Sequence, residues 1–156
     1  GAQETPVAGV TDVNTGSATD VTADGLIDLV YSLPAQYRAN AIHIMARTTL
    51  RNTRKLKDGD SRYIWQAGLV AGQPQTILGY PAYESENMPT IAANNYIDIF
   101  GSWRDGYVIV DRVGMSIERI QDTTTVGTNQ VALFARRRLG GQVVAPWAFA
   151  SLQCST

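Results

Sequence analysis

The sequence predicts an α+β fold, with two helices early in the chain and mostly antiparallel strands after them. Three observations carry that reading. Apolar residues recur at helical spacing before residue 60, and from residue 96 onward they alternate with polar ones. Between the two regions, LKDGDSRYIWQAGLVAGQPQTILGYPAYESENMP (residues 56–89) holds most of the turn chemistry and two short strands. At 156 residues the chain fits one domain, able to bury roughly two thirds of its unfolded surface without disulfide or metal staples.

Residues 1–21 are rich in Gly, Thr, Ala and Asp and poor in large apolar side chains, so they read as an extended lead-in held by something else, or as disorder. The opening GAQETPVAG has neither the basic region nor the apolar core of a signal peptide, and a start at Gly1 suggests a processed or trimmed chain. Thr22 can cap a helix, Asp24 sits in its first turn, and Leu26, Leu29, Val30 and Leu33 form its apolar stripe. Pro34 ends it, because proline disfavours helical geometry in the preceding residue.

AIHIMA (41–46) reads as a buried or half-buried strand, with Ile42, Ile44 and Ala46 on one face and His43 and Met45 on the other. Thr48 then caps a second helix, TTLRNTRKLK, expected to end at Asp58-Gly59. It is the most basic segment: Arg47, Arg51, Arg54 and Lys55 recur at spacings that put much of the charge on one face. YIDIF (96–100) and YVIVD (107–111) alternate, and GSWRDG (101–106) joins them at hairpin length. SIERI (116–120) is a further alternating run. Residues 130–144 are the longest strand candidate, with Gly140-Gly141 suggesting a bend or bulge where the strand changes partner.

Composition limits function. Charged residues are 17% of the chain, below the usual quarter, which gives a modest edge to a surface partly covered by other protein. A net charge of −1 argues against a bulk electrostatic nucleic-acid binder. The one cysteine, Cys154, excludes an internal disulfide framework and a Cys-based zinc site, and no apolar run is long enough to span a membrane. The one histidine, His43, lies in an apolar strand and reads as a satisfied structural side chain. Nucleophile-elbow, zinc-helix, paired-cysteine and phosphate-loop motifs are all missing, so no catalytic, cofactor-binding or metal-binding residue is assigned. Gly68 and Gly72 read as turn residues. Asp58 and Asp60 begin a calcium-loop pattern that goes no further, and Asp58, Asp60, Glu84 and Glu86 read as solvated turn residues.

Trp65, Trp103 and Trp147 are spread along the chain as core or interface anchors rather than a stacking platform. Arg136, Arg137 and Arg138 alternate faces in the last long strand, a pattern that suits contact on both faces, through acidic neighbours or another chain, while an exposed ribbon is the alternative. Arg136, Arg137, Arg138, Trp103 and Tyr80 are therefore the candidate subunit-interface residues. Arg47, Arg51, Arg54 and Lys55 are the candidate polyanion contact, against the alternative of a solvated helix face.

Read in order, TADGLIDLVYSLPAQYRANAIHIMARTTLRNTRKLKD, SRYIWQ, TILGYPAYESENMP, DIFGSWRDGYVIVDRVGMSIERI and ALFARRRLGGQVVAPWAFASL resemble the C-terminal half of tailed-bacteriophage major capsid proteins of the Hong Kong 97 type. The resemblance implies that fold without its N-terminal arm, extended hairpin and spine helix. It implies an axial domain at residues 1–112, part of a peripheral domain at 113–145, and a return to the axial domain at 146–156. It implies a structural subunit, not an enzyme and without cofactors, that assembles with other copies of itself into hexamers and pentamers. The shell would form in the host cytoplasm around double-stranded DNA held non-specifically, become the virion capsid, and leave room for scaffold or decoration proteins. Some family members cross-link a hairpin lysine to an asparagine before the last long strand, aided by a glutamate within that strand. Asn129 matches the asparagine, but Arg136 stands at the glutamate position, so self-cross-linking is not expected. An encapsulin-like nanocompartment shell uses the same fold. A small α+β hydrolase or ligand-binding domain, the rival from another class, requires a convergent pocket of titratable groups.

Overall fold

A computed structural model of the protein describes residues 8–64, 75–120, 127–128 and 130–155. The chain divides into two compact units, Gly1–Gly106 with Val143–Thr156, and Tyr107–Gln142.

The larger unit is a six-stranded sheet in the order β1-β8-β5-β2-β4-β3, covered by helices. Its strands are β1 (Thr11–Asn14), β2 (Ile42–Met45), β3 (Thr76–Ile77), β4 (Tyr80–Glu84), β5 (Tyr96–Gly101) and β8 (Phe149–Gln153), and its helices are α1 (Ala23–Ser32), α2 (Ala35–Arg38), α3 (Arg47–Arg54) and α4 (Trp103–Gly106). A 3-10 turn, Pro146–Ala148, leads into β8. The expectation of mostly antiparallel strands holds for β5 with β8, β2 with β5 and β3 with β4, but β1 runs parallel to β8 and β2 parallel to β4. The connection from β2 to β4 runs through α3, and that from β1 to β8 runs through most of the chain, both long enough for parallel pairing.

Register explains which face became the core. Val13 lies opposite Leu152, Leu152 opposite Asp98, Asp98 opposite Met45, Phe100 opposite both Ala150 and His43, and His43 opposite Ala82. Residues directly opposite project to the same side, so this row is one face of the sheet. Leu26, Leu29, Val30 and Leu33 of the α1 segment and Leu50 of α3 belong to the same buried cluster. Each such Leu contributes about 1.5–3 kcal/mol by leaving water. In β2 the core side is therefore that of His43 and Met45; Ile42 and Ile44 are half-buried on the reverse. Among the buried polar side chains are the ionisable His43 and Asp98: His43 Nδ1 and Asp98 Oδ2 are 2.8 Å apart, both side chains fully buried.

Local chemistry sets the ends of α1. The Thr22 hydroxyl accepts from the Gly25 N–H at 3.1 Å and itself donates to the Thr15 carbonyl. At the other end Arg38 donates to the Leu33 carbonyl through Nε and Nη2 at 3.1 and 3.0 Å, satisfying an acceptor the helix leaves open. Of the two readings of the lead-in, the extended one held by other elements describes residues 11–15: β1 extends the sheet edge, and Thr15 is buried with its N–H on the Gln153 carbonyl at 2.9 Å.

The second helix departs from expectation at both ends. α3 starts at Arg47 with Ala46 in the cap position, so Thr48 is inside the helix and caps nothing. It stops at Lys55, because Lys57 pairs with Tyr63 in an antiparallel bridge and Asp58 Oδ1 accepts the Asp60 and Arg62 N–H groups at 3.0 and 2.9 Å. In the β3–β4 hairpin Leu78 and Gly79 both have positive φ, 49° and 88°, the geometry that matches the twist of paired strands.

The expected hairpin through GSWRDG is not formed. Residues 103–106 make a helical turn, Ser102 Oγ donating to Asp105 Oδ2 at 2.7 Å, and β5 is flanked by β8 and β2. The two glycines explain the outcome. A Cβ at Gly101 would lie 2.4 Å from the Ala148 carbonyl oxygen, and one at Gly106 2.2 Å from the Phe149 ring. Their missing side chains let the C-terminal segment close on this turn and occupy the place beside β5.

The smaller unit is a two-stranded sheet of β6 (Tyr107–Ile120) and β7 (Ala132–Val143). The two sequence runs at 107–111 and 116–120 are one continuous strand. Gly140-Gly141 marks no change of partner either, since β7 keeps β6 as its neighbour throughout; Gly141 lies where a Cβ would meet the Tyr107 hydroxyl at 2.2 Å.

Two predictions follow from the core. His43→Leu strands the Asp98 carboxylate without its buried partner, and a loss of roughly 3–5 kcal/mol is expected in urea unfolding, much of it recovered when Asp98→Leu is added. A single-variant loss under about 0.5 kcal/mol would remove the pair from the account. Cys154 is fully buried and its burial pushes the thiol pKa up, which lowers the thiolate fraction that reacts. Ellman's reagent should therefore label the native protein far more slowly than the urea-unfolded one, and equal rates would contradict the placement.

Candidate functional site

Chemistry-bearing side chains among the described residues do not converge on a shared site. Among the described residues no three His, Cys, Asp or Glu side chains are grouped to hold a metal ion. His43 and Asp98 are sealed in the core, with His43 Nε2 and Asp98 Oδ1 left without hydrogen-bond partners there. No helix among the described residues is long and apolar enough to cross a membrane. Surface character is therefore the place to look.

The β6–β7 ribbon is the most unusual surface. Arg137 donates to Asp111 Oδ2 through Nη2 and Nε at 2.7 and 3.0 Å, and Arg136 donates to Glu118 Oε1 at 3.2 Å. Neighbouring arginines thus reach partners on opposite faces of the ribbon, as strand alternation requires. Arg138 has no ion-pair partner among the described residues. Pairs this exposed add little net stability but hold the side chains in a fixed arrangement. On the Asp111–Arg137 face stand Ile109, Met115, Ile117, Leu133 and Leu139, with Ile109 at 71% and Leu133 at 69% exposure. On the other face Val108, Val110, Ile120 and Phe134 are also exposed among Arg112, Ser116, Glu118 and Arg136. A two-stranded ribbon is at best marginally stable in water, and apolar residues in this number on its faces call for a covering surface.

The aromatic candidates divide. Tyr80 is half-buried with its ring edge-on to Phe100, centroids 5.1 Å apart, and Trp103 is half-buried edge-on to Phe149, also at 5.1 Å. Both are engaged within their own chain. Trp147 is the exposed one: at 57% exposure it donates through Nε1 to the Tyr37 hydroxyl at 2.9 Å. Nearby on α1 Tyr31 is 70% exposed with the Arg38 guanidinium 5.1 Å from its ring centre. Trp, Tyr and Arg grouped on a surface are the side chains most often found at the energetic centres of protein interfaces. Tyr31 escaped the sequence reading because it lies on the polar side of a helix whose apolar stripe drew the attention. Trp65, Gly68, Gly72 and Asn129 lie outside the described residues.

The basic residues of α3 are where the spacing put them. Arg47, Arg51 and Lys55 are exposed along one side and Arg54 is half-buried, with Arg47 Nε 3.3 Å from Glu86 Oε1.

The described residues thus form an α+β core with its polar pair sealed away and a ribbon of exposed apolar and arginine side chains. Comparison with known proteins gives the family. The model of the phage capsid family matches residues 2–154. Superposed on the capsid of an empty GTA particle computed with C5 symmetry, the chain gives a TM-score of 0.82 at 36% identity, covering 98% of this chain and 55% of that one. The capsid of the native GTA particle gives 0.82 and 36% as well, covering 98% of this chain and 59% of that one. A structure from Gordonia phage Cozz shares the fold at 18% identity and a TM-score of 0.61, covering 100% of this chain and 55% of that one. A search of curated proteins found no match. The chain belongs to the phage capsid family, with the Hong Kong 97-type fold, and spans between half and two thirds of the length of the GTA capsid chains.

Proposed function

We propose that this chain is the axial and partial peripheral region of a major capsid protein, a structural subunit of an icosahedral phage shell. In this reading the larger unit is axial and the β6–β7 ribbon belongs to the peripheral region. Copies join into pentamers and hexamers in the host cytoplasm, and the finished shell encloses double-stranded DNA without reading its sequence. The observation that carries the reading is the ribbon: its exposed Ile109, Met115, Ile117, Leu133 and Leu139, beside fixed arginines, suit burial against other protein. The matches over nearly the whole chain to GTA capsids support it. Ring-forming subunits need head-to-tail contacts between unlike surfaces, and the two units offer unlike surfaces.

Electron microscopy of the full-length protein is expected to show closed icosahedral shells. A monodisperse monomer at high concentration would sink the proposal. The shells are also expected to lack covalent links between subunits, because Arg136, where the family's cross-linking members carry a glutamate, is committed to Glu118. On a denaturing gel the assembled protein should run as a single monomer band. A ladder of multimers stable to boiling and reductant would refute this part.

A further inference from the structure

Two helices of the larger unit carry exposed stripes of like charge and opposite sign. On α1, Asp24, Ile27, Asp28 and Tyr31 are all exposed and recur at helical spacing along about 10 Å of one side. On α3, Arg47, Arg51 and Lys55 are exposed along a stripe of about 12 Å, with Arg54 half-buried beside it. The dipole favours Asp24 in the first turn of α1 and Arg51 in the last turn of α3, but within each stripe like charges repel. Asp24 and Asp28 are four residues apart, as are Arg47, Arg51 and Lys55, and like charges at that spacing destabilise a helix. Arg47 also stands at the positive end of the α3 dipole, which has no acidic residue in its first turn. Relief within the chain is slight. Among the described residues Asp24, Asp28, Arg51 and Lys55 have no ion-pair partner, and Arg47 meets only the exposed Glu86.

The two stripes also lie apart on the unit. α1 packs on β1 and β8 at one edge of the sheet, whereas α3 begins at the end of β2, next to β4 toward the other edge. A stripe on one side and its complement toward the other is the arrangement that lets one copy follow another around a ring. A nucleic-acid partner would account for α3 alone and leave the acidic stripe unexplained, and the chain as a whole carries a net charge of −1.

We propose that the acidic stripe of α1 on one copy docks on the basic stripe of α3 on the next, Asp24 and Asp28 meeting Arg51 and Lys55 with Tyr31 packed at the margin. The partner is thus a second copy of this chain, and the inference rests on the capsid reading given above. Such contacts set orientation and order of subunits more than total affinity, and they weaken with salt.

The test is charge reversal in the full-length protein, with assembly followed by sedimentation and electron microscopy. Asp24→Lys with Asp28→Lys, or Arg51→Glu with Lys55→Glu, should each raise the protein concentration needed for assembly by about tenfold or more. Combining all four changes in one chain should restore assembly toward the unsubstituted level, an outcome that general misfolding cannot produce. Circular dichroism of each variant checks that its helices persist. Unsubstituted protein that forms no shells overturns the capsid reading and this contact with it. Shells from the unsubstituted protein and from both reversals alike, or a fourfold variant that shows the summed loss, overturn the contact alone. An α3 reversal that assembles normally but retains less DNA assigns the basic stripe to nucleic acid and likewise overturns the contact.

Discussion

Asp98 is the residue around which the larger unit has to be built. It sits on β5, the strand flanked by β8 on one side and β2 on the other, and it points to the core side of the sheet. A carboxylate there costs several kcal/mol unless it is paired, and its one partner is His43 on the neighbouring strand. Slipping β2 by one residue would turn His43 to the reverse face and strand the carboxylate. The pair thus selects one register for the two central strands, and with it the alignment of Phe100, Met45, Ala82 and Leu152. Apolar residues supply most of the stability, and the polar pair specifies the arrangement in which they are buried.

Much of this was legible in the sequence where the governing chemistry is local. Thr22 and Pro34 limit α1 because capping and proline geometry act within a turn, and the alternation of 96–100 marks β5 for the same reason. The basic stripe of α3 follows from spacing alone. What stayed hidden depends on partners far along the chain. For residues 1–21 an extended lead-in held by something else and disorder stood as alternatives, because the partner strand of β1 is almost the full chain length away, the Ser151 hydroxyl reaching Asp12 across 139 positions. GSWRDG was misread because its length also fits a hairpin loop. The signal that separates the readings was present in Gly101 and Gly106, two positions that need close approach by another segment. The candidate surface was legible in part: strand alternation anticipated the two-faced arginines of β7, but nothing local distinguishes Tyr80 and Trp103, engaged internally, from Trp147, which is exposed.

The ribbon and the core divide the physical tasks between them. In the larger unit large apolar side chains are mostly inside and the sheet has a defined buried face. In β6–β7 they are mostly outside, held in place by surface ion pairs that add little to folding. Exposed apolar residues in this number mark either a binding surface or an aggregation liability. On the proposed reading, other copies of the chain would cover what the single chain leaves exposed.

The order of strands has a consequence during synthesis. β8 is the last element described, yet it occupies the place between β1 and β5 in the sheet. A chain leaving the ribosome therefore exposes β1 and one side of β5 with the slot between them empty until residues 149–153 emerge. By then the ribbon has already been made. The larger unit therefore cannot finish its sheet before the ribbon has been synthesised. Any truncation that removes β8 leaves two facing strand edges, those of β1 and β5, unsatisfied and open to pairing with another chain.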